Sequence, residues 1–218
     1  KNEVSDYAGY NYKKEFWDDV DRRYEDLCER TTLTHLLSLI KQNSPSFLDA
    51  GCGFGRLFKT YEFFSDEFYL LDYAQHLLDE AKSSIKTHKK IHFIQGSFFD
   101  MPFDDNIMDT IISLRTLHHV ESPEIFIKEM YRVLKPGGYL IFEIPNKRHL
   151  INIFRYFLGR LPVSPFNDTP LKLSDLFYNH NYKSIYSLLS STKFKQIKSI
   201  DTSFFRSKFF KKTLPPYL

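Results

Sequence analysis

A glycine-rich turn that follows a buried strand constrains the fold of this chain more than any other feature. The eleven residues from Phe47 to Leu57 read Phe-Leu-Asp-Ala-Gly-Cys-Gly-Phe-Gly-Arg-Leu. The run begins as a strand, and its three glycines then let the backbone adopt positive φ and let a ligand approach without a Cβ in the way. A helix that begins near Arg56 would aim its free N–H groups at the same point. This order predicts a loop that binds a nucleotide-like cofactor.

The spacing of the glycines separates this loop from that of dinucleotide-binding dehydrogenases. Gly51, Gly53 and Gly55 are spaced G-x-G-x-G, whereas a pyrophosphate-binding loop requires G-x-G-x-x-G. A second apolar run ends at Asp72, twenty-one residues after Gly51, where a parallel βαβ unit places an acid that accepts both hydroxyls of a ribose. Asp49 precedes the first glycine by two residues and can attract a cationic amino group. Together these residues indicate a cofactor with a ribose and an amino-acid end.

With these residues the chain resembles the class I S-adenosylmethionine-dependent methyltransferases, specifically their type 11 branch of small-molecule enzymes. The resemblance covers roughly residues 45–146. After the glycine loop its landmarks follow in order, as Asp72-Tyr73, Gly96–Phe103, Met108–Val120 and Val133–Glu143. It implies S-adenosyl-L-methionine as the cofactor, S-adenosyl-L-homocysteine as the product, and a small molecule as the methyl acceptor.

The resemblance also implies which residues bind the cofactor. They are Asp49, Gly51, Cys52, Gly53, Gly55, Asp72, Tyr73, Ser97, Phe98, Leu114 and Tyr24. Two positions depart from the family pattern. Phe54 stands where a small hydroxyl residue is usual, and Ser97 stands where an aspartate usually accepts a hydrogen bond from the adenine amino group. A neutral serine is a weaker acceptor than an ionised carboxylate.

Several of these side chains have two interpretations that the sequence leaves open. Phe98 would offer its backbone N–H to the adenine, while its ring either contacts the cofactor or packs in the core. Tyr73 either stacks on the adenine or packs. Tyr24 either contacts the methionine carboxylate or belongs to the core.

Two histidines are the candidate catalytic bases. His118 and His119 follow the fourth strand, whose end faces the donor methyl in the family, and a histidine can take up a proton near neutral pH. Adjacent histidines in a helical turn should point in different directions, so at most one should face the substrate. The alternative is that they only hydrogen-bond the backbone at the start of a helix. No Cys/His spacing suggests a metal site.

Strand and helix patterns alternate along the core of the chain. Strands are expected at 46–50, 67–71, 91–95, 108–114 and 138–144, with helices near 56–64, 74–87 and 123–134. A helix near 182–191, a strand at 194–200 and an antiparallel edge strand within 202–210 should follow. Such alternation predicts an α/β, Rossmann-like, doubly wound and mostly parallel sheet with ligands at the carboxyl ends of its strands.

The chain should form a single domain, because 218 residues with 42% hydrophobic content can bury one core and no flexible linker divides it. We expect an N-terminal helical cap at 1–44, a cofactor-binding core at 45–146, a lid insertion at 147–181, and a C-terminal helix and strands at 182–218. In the cap, side chains that recur at helical spacing predict one apolar helix face, and four further residues continue the apolar stripe. The first set is Phe16, Val20, Tyr24, Leu27 and Thr31, and the second is Leu33, Leu36, Leu37 and Ile40.

Composition and charge limit the partners. A net charge of +3 with scattered basic residues does not favour a nucleic-acid partner. Two cysteines, and no apolar signal or membrane-spanning run, favour a soluble protein of the cytoplasm. The segment 204–212 interleaves four aromatic with four basic residues. It could rest on an anionic membrane surface or form an amphipathic edge strand with a solvated face.

The aromatic residues of 147–181 suit an apolar or aromatic acceptor, such as a quinone-, polyketide- or lipid-like molecule. These rings could equally only pack the lid against the sheet. The sequence therefore predicts a small-molecule methyltransferase. The alternative is a non-catalytic or regulatory module of the same fold that binds S-adenosylmethionine.

Overall fold

Five parallel strands form the central sheet, in the order β3-β2-β1-β4-β5. The computed structural model describes residues 17, 22–40, 44–174 and 177–202. The strands are β1 Phe47–Ala50, β2 Glu67–Asp72, β3 Lys90–Gln95, β4 Met108–Ser113 and β5 Leu134–Phe142. Because every pair is parallel, all five carboxyl ends lie at one edge of the sheet. The predicted mostly parallel α/β sheet is confirmed.

Helices precede, connect and follow these strands. They are α1 Arg23–Ser38, α2 Phe58–Tyr61, α3 Gln75–Ser84, α4 Pro123–Val133, α5 Leu150–Phe157 and α6 Tyr182–Ser191. The predicted bounds of α6 are confirmed, whereas α2 is a single turn, shorter than the expected 56–64. Its start is delayed because the glycine-rich loop continues in turns as far as Leu57. None of the helices in the described part of the chain is both long and apolar enough to span a membrane.

The sheet buries apolar residues on both faces, which makes it doubly wound. Phe47 and Leu48, adjacent in β1, belong to different clusters because successive strand residues face opposite sides. Leu48 lies with Phe126 of α4 and Ile185 of α6. Phe47 lies in the cluster that holds α2 and the buried leucines of α1. Helices therefore cover both faces of the sheet.

The segment 147–181 has secondary structure that the sequence did not predict. It contains α5 and an antiparallel pair of strands, β6 Leu171–Ser174 and β7 Phe177–Asn179. Hydrogen bonds join its two ends, from Lys147 N to His180 O at 2.8 Å and from His180 N to Pro145 O at 2.7 Å. The His180 ring also hydrogen-bonds the Val120 carbonyl at 2.8 Å. The base of the segment is thus fixed beside the end of β4.

The predicted apolar stripe of the first helix is confirmed at Leu33 and Leu37, which are buried, but it is wrong at Leu27 and Thr31. Leu27 is 54% exposed and Thr31 is exposed, whereas the buried residues of α1 are Glu25, Glu29, Leu33 and Leu37. The helix turns acidic side chains inward because arginines from the sheet edge meet them there. Phe16 and Val20 lie outside the described residues.

The strand expected at 194–200 is also wrong. These residues have no regular secondary structure. Phe194 packs against the cluster of α4 and contacts Tyr131, with ring centroids 5.3 Å apart, while Ile197 is 65% exposed. A strand needs a hydrogen-bonded neighbour, and within the described ranges no strand pairs with this segment. The expected edge strand and the segment 204–212 lie beyond the last described residue.

Candidate functional site

The glycine loop lies at the carboxyl edge of the sheet, between the ends of β1 and β2. The N–H groups of Gly51 and Cys52 both donate to Leu71 O, at 2.8 and 3.1 Å. Gly51, Gly53 and Gly55 have φ angles of 87°, 55° and 73°. These values confirm the expectation that the loop needs glycine to adopt positive φ.

The glycines differ in what surrounds them. A Cβ built on Gly51 would meet Thr116 Oγ1 at 2.5 Å, so this position packs against the residues that follow β4. Among the residues that the structure describes, and apart from the chain neighbours of Gly53, a Cβ built on Gly53 would meet no atom within 4 Å. Gly53 therefore leaves open space at the turn of the loop, where a ligand can approach the backbone.

Asp72 ends β2 and holds the loop from the side. Its Oδ2 accepts a hydrogen bond from Gly53 N at 2.7 Å, and its Oδ1 accepts one from Ala74 N at 3.0 Å. Burial raises the pKa of this carboxyl, and the two backbone hydrogen bonds oppose that rise. Each oxygen keeps further acceptor capacity. The structure thus brings Asp72 and Gly53 together, as the spacing predicted.

Asp49 lies in the middle of β1 and is 5% exposed. The Tyr61 hydroxyl donates to its Oδ2 at 2.6 Å. Burial raises the pKa of Asp49 to about 7, with Asp72 adding to the rise, while Tyr61 and Arg56 oppose it. Near neutral pH the carboxyl is therefore divided between its two protonation states. Sequence reasoning missed Tyr61, although the tyrosine three residues into α2 faces the strand that carries Asp49.

The residues expected around an adenine lie after β3. Ser97 Oγ accepts a hydrogen bond from Phe99 N at 3.1 Å, which closes a local turn. Phe98 is 6% exposed and its ring lies 5.6 Å from that of Phe126, so its side chain belongs to the core. Tyr73, in contrast, is 42% exposed. Only the ring of Tyr73, and not that of Phe98, is open to solvent at this end of the loop.

Leu114, Cys52 and Tyr24 are all partly buried. Leu114 and Cys52 pack at the margin of the cluster that holds α2. Burial raises the pKa of the Cys52 thiol well above its usual value, so this thiol stays neutral and unreactive. Tyr24 lies in the first turn of α1.

His118 and His119 lie in a 3₁₀ turn, Leu117–His119. Their ring centroids are 4.0 Å apart, and each lies 5.2 Å from the ring of Phe177 in β7. The expectation that the two rings point in different directions is wrong, because Phe177 packs against both and draws them to one side. The segment 147–181 thereby contacts both candidate bases.

A buried charged cluster adjoins the loop, and sequence reasoning missed it. Glu29 forms ion pairs with Arg56, which follows the last glycine of the loop, and with Arg115, which follows β4. Arg115 Nε donates a hydrogen bond to Glu29 Oε1 at 2.6 Å. Trp17 lies over both cations, with its ring centroid 3.8 Å from Arg56 Cζ and 5.1 Å from Arg115 Cζ. Arg115 adopts φ 55°, uncommon for a residue with a Cβ, and its N–H donates to the Glu143 carboxylate at 3.2 Å. The cluster joins α1 to the carboxyl edge of the sheet.

The profile of the type 11 methyltransferase family, described as a methyltransferase domain, matches residues 48–142. That range runs from β1 through β5 and contains the glycine loop, Asp72 and both histidines. Residues 48–142 are therefore similar to the methyltransferase domain of the type 11 family. The methyltransferase domain that this family model describes implies S-adenosyl-L-methionine as the cofactor.

Relatives of this methyltransferase domain include a demethylmenaquinone methyltransferase of Staphylococcus haemolyticus, 35% identical over 98 residues, which are 43% of this chain and 41% of that protein. A malonyl-[acyl-carrier protein] O-methyltransferase of a Marinomonas species is 22% identical over 90% of this chain and 71% of its own length. A solved S-adenosylmethionine-dependent methyltransferase of Thermotoga maritima has a TM-score of 0.59 at 16% identity, covering 86% of this chain and 81% of that one. The part of the chain that matches these demethylmenaquinone methyltransferases spans between 41% and 43% of their length.

The residues at the sheet edge fit the cofactor that the methyltransferase family implies. S-adenosylmethionine carries a ribose diol, which needs a hydrogen-bond acceptor, and a cationic amino group, which favours a carboxylate. Asp72 supplies the acceptor beside the open space at Gly53. Asp49 supplies a second carboxyl at the same edge.

Proposed function

We propose that this chain transfers a methyl group from S-adenosyl-L-methionine to a small apolar or aromatic acceptor. The observation that carries the proposal is the placement of Asp72, whose carboxylate is bound to the turn of the glycine loop next to the space that Gly53 leaves open. One relative is named as a demethylmenaquinone methyltransferase, and a quinone-like acceptor of that kind supports this substrate class.

In this proposal Asp72 accepts hydrogen bonds from the ribose, and Asp49 attracts the amino group of the methionine end. Ser97 and the Phe98 N–H recognise the adenine. The three glycines of the loop, Gly51, Gly53 and Gly55, keep its backbone accessible to the cofactor. Cys52 and Leu114 provide apolar surfaces at the cofactor site. Tyr73 packs against the adenine, and Tyr24 contacts the methionine carboxylate. The Phe98 ring takes no part, because it packs against Phe126.

S-adenosylmethionine supplies an electrophilic methyl group when it is bound. The protein holds the acceptor in line, keeps water out and removes a proton where the acceptor carries one. We assign that proton transfer to His119 or His118. Both histidine rings lie against Phe177, so either histidine, acting as the base, has an apolar surface beside it.

The same contact supports an apolar acceptor. Phe177 belongs to the segment 147–181, which we propose to be a lid over the acceptor site. We propose that the whole chain forms a single domain, in which residues 1–44 are an N-terminal helical cap. The base of the segment is fixed by the hydrogen bonds of Lys147 and His180. A rigid base beside the histidines would position an aromatic surface over the acceptor. Because both cysteines are unpaired, we also place the protein in a reducing compartment such as the cytoplasm.

Cofactor affinity should depend on pH through Asp49. In the folded protein without ligand its pKa is raised from 3.8 to about 7. The neutral carboxyl therefore contributes stability at low pH that is lost as the pH rises from about 4 to about 7. A cationic amino group favours the ionised form, so binding should release a proton. Affinity for S-adenosylhomocysteine should then rise about 10-fold between about pH 6 and about pH 8.

Calorimetry over that pH range measures this dependence, with Asp49→Asn as the control. The substitution removes the ionisation and leaves an oxygen that can still accept from Tyr61. A wild-type profile no steeper than that of Asp49→Asn would contradict the assignment of Asp49 to the amino group.

Methyl transfer is tested with S-adenosylmethionine carrying a tritiated methyl group, incubated with quinols, phenolic polyketides and acyl acceptors. We expect label in at least one apolar or aromatic acceptor and, at sub-saturating S-adenosylmethionine, about 10- to 100-fold slower labelling with a folded Asp72→Ala variant. If the protein binds the cofactor tightly but labels no acceptor, the non-catalytic module is the correct interpretation and the proposed enzyme is wrong.

A further inference from the structure

Helix α5 faces the protein with a polar residue and faces solvent with apolar ones. Asn152 is its buried residue, 3% exposed, and its Nδ2 donates to Lys147 O at 3.0 Å. Leu150, Phe154 and Phe157 are 71%, 66% and 74% exposed. A helix on the surface of a globular domain normally has the opposite arrangement, with its apolar stripe toward the core.

The exposed apolar residues are continuous on the helix. At 100° per residue, five of them cover an arc of about 120°. We call them the α5 face: Leu150, Ile151, Phe154, Phe157 and Leu158. Isolated exposed apolar residues are ordinary, but a contiguous patch of large ones marks a site of interaction.

Positive charge surrounds the α5 face. Residues 145–174 carry four exposed lysines or arginines and one exposed acid, a net surface charge of +3, while a fifth cation, Lys147, is buried. Arg155 is exposed within the helix, while Arg148 and Arg160 are exposed before and after it. The partner of this surface must therefore offer an apolar phase and negative charge together.

We propose that the α5 face docks on an anionic lipid bilayer, with α5 lying in the plane of the interface. Its apolar side chains enter the boundary between headgroups and acyl chains, and Arg148, Arg155 and Arg160 contact lipid phosphates. A second copy of this chain fits less well, because it would bring two strongly positive segments together. If the α5 face instead packed against the rest of this chain, the helix would have to rotate and expose Asn152, which is now buried.

Vesicle binding tests the proposal directly on the full chain without ligand. We expect the wild-type protein to co-sediment with vesicles of phosphatidylcholine containing about 30% phosphatidylglycerol, and to bind pure phosphatidylcholine much less. Binding should weaken as the salt concentration rises from about 50 to about 500 mM. Replacing both Phe154 and Phe157 with serine should lower the partition coefficient at least about 10-fold, and Arg155→Glu should lower it further.

Phe63→Ser is the matched control, because Phe63 is 87% exposed and follows α2, on a different part of the surface. It should leave vesicle binding unchanged, and circular dichroism should show that every variant is folded. Absence of binding to the anionic vesicles would overturn the proposal. It would equally be overturned if the α5 variants bound like the wild type, which would place the contact elsewhere, or if they only dissociated a dimer in sedimentation experiments. Vesicle binding does not require methyl transfer, so its outcome leaves the proposed enzyme to be tested separately.

Discussion

Replacing Glu29 with alanine is expected to lower the free energy of unfolding by about 3–5 kcal/mol. Glu29 pairs with Arg56 and Arg115, and its side chain is only 4% exposed. Both arginine side chains are only 13% exposed. Without the carboxylate, two cations would lie close together in a site with little water. Removal of one partner from such a cluster is far more unfavourable than the net contribution of the intact cluster.

Urea denaturation monitored by circular dichroism measures this loss. Asp66→Ala is the matched control, because Asp66 also pairs with a cation, Lys89, but its side chain is 97% exposed. That substitution should lower the free energy of unfolding by no more than about 1 kcal/mol. Equal losses for the two variants would mean that the Glu29 cluster behaves as an ordinary surface pair.

Replacing Asp72 with alanine should weaken binding of S-adenosylhomocysteine by about 10- to 100-fold. This range corresponds to the loss of charge-assisted hydrogen bonds of about 1.5–3 kcal/mol. The substitution also removes the acceptor of Gly53 N and Ala74 N, so the turn of the loop loses its lateral support.

Isothermal titration calorimetry measures the affinity, and Asp79→Ala is the control. Asp79 is an exposed acid in α3 that accepts from the Gln75 side chain at 2.9 Å. Asp79 lies in the helix that directly follows β2, and it takes no part in the proposed site. We expect its substitution to leave the affinity unchanged, whereas an unaltered affinity in a folded Asp72→Ala protein would contradict the role of Asp72.

The sheet and the loop could be predicted because their signals are local. Short apolar runs bounded by turn residues gave the five strands, and the glycine spacing gave the positive φ angles at Gly51 and Gly53. The distance in sequence from Gly51 to Asp72 placed the acid beside the loop. Each of these inferences needs only residues that are close in sequence, or a βαβ connection of standard length.

The remaining features depend on partners far away in sequence. Glu29 is buried because Arg56 and Arg115, 27 and 86 residues away, meet it. An apolar pattern could not predict this, and so Leu27 and Thr31 were wrongly assigned to the buried face of α1, whereas Leu33 and Leu37 were correctly assigned to it. The rings of His118 and His119 lie on one side because of Phe177, which belongs to an antiparallel pair that the sequence did not indicate.

Recognition of the ribose by Asp72 is most directly tested by combining the Asp72→Ala substitution with a change in the ligand. S-adenosylhomocysteine and its 2′,3′-dideoxy analogue, titrated into wild-type and Asp72→Ala protein, form a double-mutant cycle. If Asp72 binds the diol, loss of both hydroxyls should weaken binding to the wild type by about 10- to 100-fold and to Asp72→Ala by no more than about 3-fold. An equal loss in the two proteins would show that Asp72 supports the loop without contacting the ribose.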